Sequence, residues 1–317
     1  MDDVATKGAA HKHGGYERLL AAAKAHPPVK MAVVHPCSVE ALEAALEARD
    51  EGLIVPLLVG PSARIAALAR EHSLDIAGIE IVATEHSHAS AAAAVALIRS
   101  GGAAALMKGS LHSDELLHAV LDKETGLRTE RRVSHAFVLD VPTYPRPLMI
   151  TDAAVNIYPT LADKRDIVQN AIDLAHAIGI HAPRVAILSA VETVNPQIVS
   201  TVDAAALCKM ADRGQITGGI LDGPLAFDNA ISEEAARIKE IRSEVAGRAD
   251  ILVVPDIEAG NMLVKQLTFL ADADSAGIVL GARVPIVFTS RADSVRNRLA
   301  SVALGVLLVH PHVASVA

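Results

Sequence analysis

Short apolar runs of strand length alternate with segments of helical spacing from about Lys30 to the end of the chain. This alternation is typical of a mostly parallel β-sheet with helices on both faces. The predicted strands are Met31–His35, Ile54–Val59, Glu80–Ala83, Ala103–Met107, Arg184–Ala190, Gly219–Leu221, Asp250–Pro255, Gly277–Leu280 and Pro285–Phe288. The predicted helices are Val39–Arg49, Ala63–Glu71, Ala89–Arg99, Lys164–Ile178, Ser200–Arg213, Ser232–Ala246, Gly260–Ala271 and Ala292–Val309. The sequence therefore predicts an α/β fold.

Length and a change in composition predict two domains. A chain of 317 residues corresponds to about two domains of roughly 150 residues. Between Thr125 and Pro147, arginines and prolines interrupt the alanine-rich rhythm, as expected where a chain crosses between domains. The last predicted helix has one apolar face, which we expect to pack on the first domain. We predict a first α/β/α domain at residues 1–150, completed by a helix at 290–317, a second at 151–289, and a cleft between them.

Composition excludes several classes of function. The net charge of −8 opposes general binding to nucleic acid, and 2% aromatic residues leave little for base stacking. No apolar stretch reaches the roughly 18 residues that predict a membrane span, and the acidic N-terminus lacks the pattern of a secretory signal. The two cysteines, Cys37 and Cys208, cannot form a disulfide framework or a cysteine-rich zinc site. We expect a cytoplasmic protein without nucleic-acid or membrane partners.

Familiar catalytic signatures are missing from the sequence. There is no P-loop, no G-x-G-x-x-G after a strand and no G-x-S-x-G nucleophile elbow. The pairs His11/His13 and His86/His88 lack a third ligand at a fixed place, so we predict no metal site.

The junction after the last predicted strand has the composition of an anion site. The run from Val284 to Phe288 leads into Thr289–Ser294, so hydroxyls and the Arg291 guanidinium stand before a helix N-terminus. A structural alternative remains, because Ser290 and Asp293 have the spacing of a helix capping box. Arg291 favours the functional interpretation, because a cap does not need it.

Four further loops place polar residues after predicted strands. They are Lys108–Glu115, Ile150–Asn156, Leu221–Asp228 and Pro255–Asn261. In the first, Ser113 could instead be a helix N-cap. In the second, Thr151, Asp152 and Asn156 stand in an apolar setting, which costs free energy unless they are hydrogen bonded. Because ligands of open α/β sheets bind at the C-terminal ends of strands, these loops predict a cleft with an acid or base beside an anion site.

On these loops the chain resembles the phosphate acetyltransferase and phosphate butyryltransferase family, from about Met31 to Leu308. The resemblance is densest in Leu106–Leu117, Ile150–Asn156, Ser189–Asp228, Asp256–Asn261 and Thr289–Ser294. The run Asp203–Asp228 is similar to the transferase half of proteins that also carry an enoyl-CoA hydratase-like segment, for which this chain has no room.

The resemblance implies a fold, an assembly and a reaction. The implied fold is that of isocitrate and isopropylmalate dehydrogenases, with the active site in the cleft of a homodimer. The implied reaction moves a short acyl group reversibly between coenzyme A and inorganic phosphate, so acyl-CoA, phosphate and acyl phosphate are the small-molecule partners. Coenzyme A is then a substrate, and no cofactor is bound permanently. The thiol attacks the acyl phosphate directly, without a covalent acyl-enzyme.

Carried over by position, the resemblance implies that Ser290 orients and stabilises the reacting groups and that Arg291 binds phosphate. The expected proton acceptor is an aspartate seven residues after the serine, but Asn297 stands there, so Asp293 becomes the candidate base. Arginines usual in the family are replaced by His118 and Phe269. These departures also occur towards the butyryltransferase side of the family and leave the acyl chain length open.

The predicted catalytic residues are thus Ser290, Arg291 and Asp293. The predicted residues for substrate and coenzyme A binding are Ser110, His112, Ser113, Thr151, Asp152, Asn156, Asp222, Gly223, Pro224, Asn261 and Thr289. We favour acetyl transfer over butyryl or propionyl transfer. Two other hypotheses stay open, a metal- and NAD-dependent decarboxylating dehydrogenase on the same fold and a non-catalytic protein that binds coenzyme A or acyl phosphate.

Overall fold

The computed structural model describes residues 14–289 and 293–310, which form one sheet of eleven strands covered by helices. The strands are β1 (Val29–Val34), β2 (Ile54–Gly60), β3 (Ile81–Ala83), β4 (Ala105–Lys108), β5 (Ser134–Asp140), β6 (Leu148–Thr151), β7 (Arg184–Leu188), β8 (Ile220–Leu225), β9 (Ile251–Val253), β10 (Asp274–Leu280) and β11 (Ile286–Val287). Their order across the sheet is β3-β2-β1-β4-β11-β10-β5-β6-β9-β7-β8. The predicted α/β fold with a large, mostly parallel sheet is confirmed.

Eleven helices lie in the described residues. They are α1 (Gly15–Lys24), α2 (Val39–Asp50), α3 (Ser62–Glu71), α4 (Ser87–Arg99), α5 (Ser113–Leu121), α6 (Leu161–Ala177), α7 (Val199–Asp212), α8 (Phe227–Ile231), α9 (Glu233–Ile238), α10 (Ile257–Leu270) and α11 (Val295–Val309). None of them is long and apolar enough to span a membrane. Helix α11 packs on β10 and β11 and also on α1 and α2 from the first half of the chain.

The sheet consists of two parallel blocks that run in opposite directions. Strands β1, β2, β3, β4 and β11 form one block, and β6, β7, β8 and β9 form the other. Between them, β10 and β5 make three successive antiparallel pairings, which reverse the direction. Strand β5 lies within the predicted domain crossing, so that segment is part of the sheet.

One row of paired residues crosses both blocks. It is Leu58, Val33, Met107, Val287, Ile278, Ala136, Thr151, Val253 and Ile187. In β1, β4, β11, β6, β9 and β7 this row lies within one residue of the end of the strand. Because the two blocks run in opposite directions, their strands approach this row of residues from opposite sides and end there. The loops that follow the two blocks therefore start at the same level of the sheet.

The structure corrects several predicted helix boundaries. The helix predicted at Ser232–Ala246 ends at Ile238, where Glu240 adopts a left-handed conformation (φ 55°) that a helix does not continue through. Helix α11 begins at Val295, with the Ser294 hydroxyl accepting the Asn297 N–H over 3.2 Å. Ser294 is thus the N-cap of α11. The alternative of a capping box at Ser290 and Asp293 involves Ser290, which lies outside the described residues.

Candidate active site

The loop after β4 lies directly against the loop after β1. The Gly109 N–H donates to the Val34 carbonyl over 2.9 Å, and the Ser110 hydroxyl donates to the His35 carbonyl over 2.8 Å. The same hydroxyl accepts the Cys37 N–H over 3.1 Å. A Cβ atom at position 109 would lie 2.3 Å from the Val34 oxygen, so this approach requires glycine. Ser110 therefore joins two loops at the C-terminal edge of the first block.

Two cavities open beside Ser110. The larger, about 390 Å³, is lined by His35, Cys37, Ser38, Glu40, Arg64, Ser87, Ser110, Leu111, His112 and Glu115. The smaller, about 30 Å³, is lined by Ser38, Glu40, Ala41, Ala44, Met107, Lys108, Gly109, Ser110, Thr289 and Arg298. Ser38, Glu40 and Ser110 line both cavities. Three of the predicted substrate-binding residues, Ser110, His112 and Thr289, therefore line these two adjoining cavities.

His112 and Ser113 stand at the start of α5 and are exposed. His112 is the N-cap residue and its side chain makes no capping hydrogen bond, while Ser113 is the first helical residue. The alternative that Ser113 caps this helix is therefore wrong. Both side chains are exposed, and His112 lines the larger cavity, where a ligand could reach it.

The predicted catalytic junction is described in part. Ser290 and Arg291 lie outside the described residues, and Thr289 and Asp293 are the nearest described neighbours of the predicted catalytic pair. Asn297, at the position of the expected base, is buried and its side chain binds Ser275. Its Oδ1 accepts the Ser275 N–H and its Nδ2 donates to the Ser275 hydroxyl, both over 3.3 Å. Asn297 thus anchors α11 to β10.

A second group of predicted residues is buried at the end of β6. Oδ1 of Asp152 accepts the N–H groups of Ala154 and Val155 over 2.9 and 3.0 Å. Its Oδ2 accepts the His135 N–H over 3.2 Å and the Asn156 Nδ2 over 2.6 Å. Burial raises the pKa of the Asp152 carboxyl, and these hydrogen bonds act in the opposite direction.

Thr151 and Asn156 bond to the segment that begins β5, and Asn261 bonds to the loop after β6. The Thr151 hydroxyl donates to the His135 carbonyl over 2.9 Å, and Asn156 accepts Nε of Arg132 over 2.7 Å. Asn261 lies one turn inside α10 and donates to the Ala153 carbonyl over 3.3 Å. These hydrogen bonds satisfy the buried polar groups, as expected for polar residues in an apolar environment.

Asp222, Gly223 and Pro224 lie within strand β8 rather than in a loop after it. The Gly223 N–H donates to Asp222 Oδ1 over 2.8 Å, and a Cβ atom on Gly223 would lie 2.8 Å from Cβ of Ile187. Strand β8 is the outermost strand of the second block, seven strands from β4 in the sheet order. The three residues are thus separated along the sheet from the loop that carries Ser110.

No sequence pattern pointed to His135, which connects the two groups of site residues. Its main chain binds Asp152 and Thr151, and its ring lies 5.8 Å from the ring of Phe288, which precedes Thr289. The ring is fully buried, and burial lowers its pKa to about 3, so it is neutral at physiological pH. Nζ of Lys108 lies 5.8 Å from the centroid of the Phe288 ring.

Lys108 and Arg298 are the other residues that sequence reasoning did not select. Lys108 begins the polar segment Lys108–Glu115, but its burial depends on the pairing of β4 with β11, which is distant in sequence. Arg298 comes from α11, and its Nη1 donates to the Glu40 carbonyl over 3.0 Å. Each is 7% exposed and lines the smaller cavity.

Comparison with known proteins gives a consistent result. The sequence profile of the family described as "Phosphate acetyl/butaryl transferase" matches residues 84–306. Phosphate acetyltransferase of Rhizobium meliloti is 66% identical over 92% of both chains. Phosphate butyryltransferase of Clostridium acetobutylicum is 43% identical over 92% of this chain and 97% of its own.

A solved structure is also similar to this chain. The branched-chain phosphotransacylase from Enterococcus faecalis V583 has a TM-score of 0.79 and 32% identity, and the match covers 90% of this chain and 100% of that one. The sequence matches extend over most of the chain and include both groups of site residues. The chain therefore belongs to the phosphate acetyltransferase and butyryltransferase family.

Proposed function

We propose that this chain is an acyltransferase that converts acetyl-CoA and inorganic phosphate reversibly into acetyl phosphate and coenzyme A. The observation that carries the proposal is the 66% identity to the phosphate acetyltransferase of Rhizobium meliloti over 92% of both chains. The lower identity of 43% to a butyryltransferase favours acetyl over longer acyl groups. Coenzyme A serves as a substrate and not as a permanently bound cofactor.

The reaction needs three things from the protein. In the direction of acetyl-CoA synthesis, the thiol sulfur attacks the carbonyl carbon, a C–S bond forms and the C–O bond to phosphate breaks. Negative charge grows on the carbonyl oxygen, the thiol loses a proton, and phosphate leaves with the electron pair. We assign the phosphate contact to Arg291, the hydrogen bond to the developing charge to Ser290, and the proton to Asp293.

The two cavities beside Ser110 support a division of the substrates. The larger, at about 390 Å³, suits the narrow pantetheine arm of coenzyme A, with His112 and Arg64 in its wall and the exposed Ser113 next to His112 in sequence. We propose that Ser110 and Thr289 face the reacting groups between the cavities. The buried Thr151, Asp152 and Asn156, together with Asn261, then act by positioning the β6 segment beside this cleft.

We further propose a two-domain arrangement with the active site in the cleft, in a cytoplasmic homodimer. The meeting of both parallel blocks at one row of the sheet supports the cleft. The dimer is supported by Met262, Phe269 and Leu270 of α10, which are 58%, 76% and 85% exposed. We also propose Asp222, Gly223 and Pro224, at the far edge of the second block, as ligand contacts.

A comparison of acyl phosphates tests the proposed function. Purified protein is incubated with coenzyme A and acetyl, propionyl or butyryl phosphate, and thioester formation is followed. We expect the highest kcat/KM with acetyl phosphate, and higher values with butyryl phosphate would contradict the acyl preference. Arg291→Ala should remove most of the activity, because a charge-assisted contact to phosphate has no neutral replacement.

A non-catalytic binder of coenzyme A or acyl phosphate is the second candidate. It is favoured by one observation: the position of the expected base is occupied by Asn297, whose side chain is engaged with Ser275. Saturable binding of coenzyme A without turnover of any of the three acyl phosphates would select this alternative.

A further inference from the structure

His35, the first residue after β1, is held in an unusual conformation in the wall of the larger cavity. Its φ of 56° is left-handed, which is uncommon for a residue other than glycine and costs free energy. The surrounding main chain fixes this conformation, because the His35 N–H donates to the Val59 carbonyl over 2.7 Å and the His35 carbonyl accepts the Ser110 N–H over 3.0 Å. Backbone strain that a fold maintains beside a cavity is typical of ligand-binding sites.

One ring nitrogen of His35 is engaged with the protein. Nδ1 lies 3.0 Å from Oγ of Ser90, which is fully buried on α4. The Ser90 hydroxyl donates to the His86 carbonyl over 2.9 Å, and its oxygen lies 2.8 Å from the Thr84 hydroxyl. Because a carbonyl can only accept, the Ser90 proton goes to His86, and Oγ of Ser90 accepts from Nδ1–H of His35. This network fixes the orientation and the tautomer of the imidazole.

The other ring nitrogen, Nε2, is left as a hydrogen-bond acceptor. It has no partner among residues 14–289 and 293–310. Burial, together with the positive charge of Arg64, lowers the pKa of the ring from its ordinary value of 6.5, so His35 is neutral at pH 7 and Nε2 carries a lone pair. Because His35 lines the larger cavity, a ligand with an N–H or O–H donor can complete the hydrogen bonding of the ring.

The position of His35 identifies the part of the ligand that reaches it. The His35 carbonyl accepts the Ser110 hydroxyl over 2.8 Å, and Ser110 lines both cavities. His35 therefore lies where the larger cavity adjoins the proposed reacting groups. In the pantetheine arm, only an ethylene group separates the sulfur from the nearest amide. When the thiol is in place beside Ser110, the N–H of this amide is the nearest donor besides the thiol itself.

We propose that Nε2 of His35 accepts the hydrogen bond of this pantetheine amide N–H and thereby places the coenzyme A thiol beside Ser110. The inference rests on the proposed function and deepens it by naming a residue that binds coenzyme A and not phosphate. The contact is made to the amide and leaves the thiol proton to Asp293.

The test compares variants that keep one nitrogen position of the ring and change the other. His35→Asn keeps an amide at the Nδ1 position, tolerates the left-handed conformation and removes the acceptor at the Nε2 position. His35→Gln instead places an oxygen close to the Nε2 position. Loss of one neutral hydrogen bond corresponds to about a fivefold effect. With coenzyme A and acetyl phosphate as substrates, we expect His35→Asn to raise KM for coenzyme A by about fivefold and KM for acetyl phosphate by less than about twofold. We expect His35→Gln to keep both values within about twofold of the wild type.

An analogue of coenzyme A without the sulfur distinguishes the amide from the thiol. Desulfo-coenzyme A keeps the amide, so its inhibition constant should also rise about fivefold in His35→Asn. An unchanged inhibition constant would show that the contact is not made to the amide and would overturn the inference. An unchanged KM for coenzyme A in His35→Asn, or an equal rise in both KM values, would overturn it as well.

His72→Asn is the matched control, because His72 is exposed at the end of α3, and it should leave both KM values unchanged. If His35→Asn does not fold, Ser90→Ala decides the inference, because it removes the partner that orients the ring. Ser90→Ala must raise KM for coenzyme A and not KM for acetyl phosphate, and any other result overturns the inference. Wild-type protein that turns over no acyl phosphate would instead reject the proposed function, so the two failures are distinguishable.

Discussion

Oδ2 of Asp152 accepts the main-chain N–H of His135 over 3.2 Å, which ties the end of β6 to the start of β5 through a buried carboxylate. The same carboxylate receives the N–H groups of Ala154 and Val155. Strands β5 and β6 are antiparallel. Phe288, which follows β11, packs on the His135 ring. This bond therefore lies where the loops of both parallel blocks come together.

The first prediction concerns Asp152→Asn. The amide nitrogen of asparagine would face N–H donors that now bind a carboxylate oxygen, leaving buried donors unsatisfied. We expect a loss of about 2–3 kcal/mol in the free energy of unfolding, measured by urea denaturation. Asp75→Asn is the control, because Asp75 accepts the Ala77 N–H in an exposed turn. An equal loss in both variants would contradict a special role for the buried carboxylate.

His135 should make the stability of the protein depend on pH. Burial lowers its pKa to about 3, whereas the unfolded value is about 6.5. The unfolded chain therefore binds the proton more readily, so the contribution is complete above pH 6.5 and is lost as pH falls towards 3. At pH 5 the loss is about 2 kcal/mol.

The measurement compares the free energy of unfolding at pH 7 and pH 5. His135→Leu should lose about 2 kcal/mol less than the wild type between these values. His181→Leu, at an exposed position, should lose as much as the wild type. A wild type and His135→Leu with parallel profiles would show that the ring does not titrate as predicted.

Features that depend on residues close together in the sequence could be predicted, and features that depend on contacts between distant segments could not. The alternation of apolar runs and helical segments is local, and it predicted the α/β fold and most strands. Strand β5 was missed because Ser134–Asp140 lies among the arginines and prolines of the predicted crossing. Its pairing with β10 and β6 involves segments far apart in sequence, for which a single chain gives no local signal.

The same distinction holds for the site. Ser110 and Thr289 were selected because polar residues after apolar strands are a local pattern. Their neighbours His35 and Arg298 were not, since they reach the same place only through the strand order and the return of α11. The burial of His135 depends on Phe288, which belongs to another strand. Local sequence patterns therefore predicted the loops of the site, whereas the residues that surround these loops are determined by tertiary packing.

Gly109 provides a third prediction. A methyl group at this position would lie 2.3 Å from the Val34 oxygen and 2.7 Å from the His35 oxygen, so Gly109→Ala must displace the loop. A shift of about 1 Å in reacting groups can cost roughly 100-fold in rate, and we expect such a loss in kcat/KM. Gly78→Ala is the control for backbone strain away from the site, because Gly78 has φ 75° and a Cβ there meets nothing within 4 Å, so stability should fall while kcat/KM is retained. Wild-type kcat/KM in Gly109→Ala would contradict the assigned loop geometry.

Substitutions at Asp293 and Ser294 distinguish a loss of catalysis from a loss of helix capping. Asp293→Asn removes the proposed base, and we expect kcat to fall at least 100-fold in a folded protein, within the range of general base catalysis. Ser294→Ala removes the hydroxyl that accepts the Asn297 N–H, which should cost about 1 kcal/mol of stability with kcat retained. If Asp293→Asn keeps kcat within a few-fold of the wild type, the thiol loses its proton by another route.

The exposed face of α10 leads to the last prediction. Met262 and Phe269 are seven residues apart, so they project from the same side of the helix, and Leu270 lies beside them. Light scattering of the wild type should give twice the chain mass of 33.1 kDa, and Phe269→Asp with Leu270→Asp should give the monomer mass because burying two charges at a subunit contact is strongly unfavourable. Val55→Asp, at an exposed apolar position of β2, should remain dimeric. A dimer that survives both α10 substitutions would assign its contact to another face of the protein.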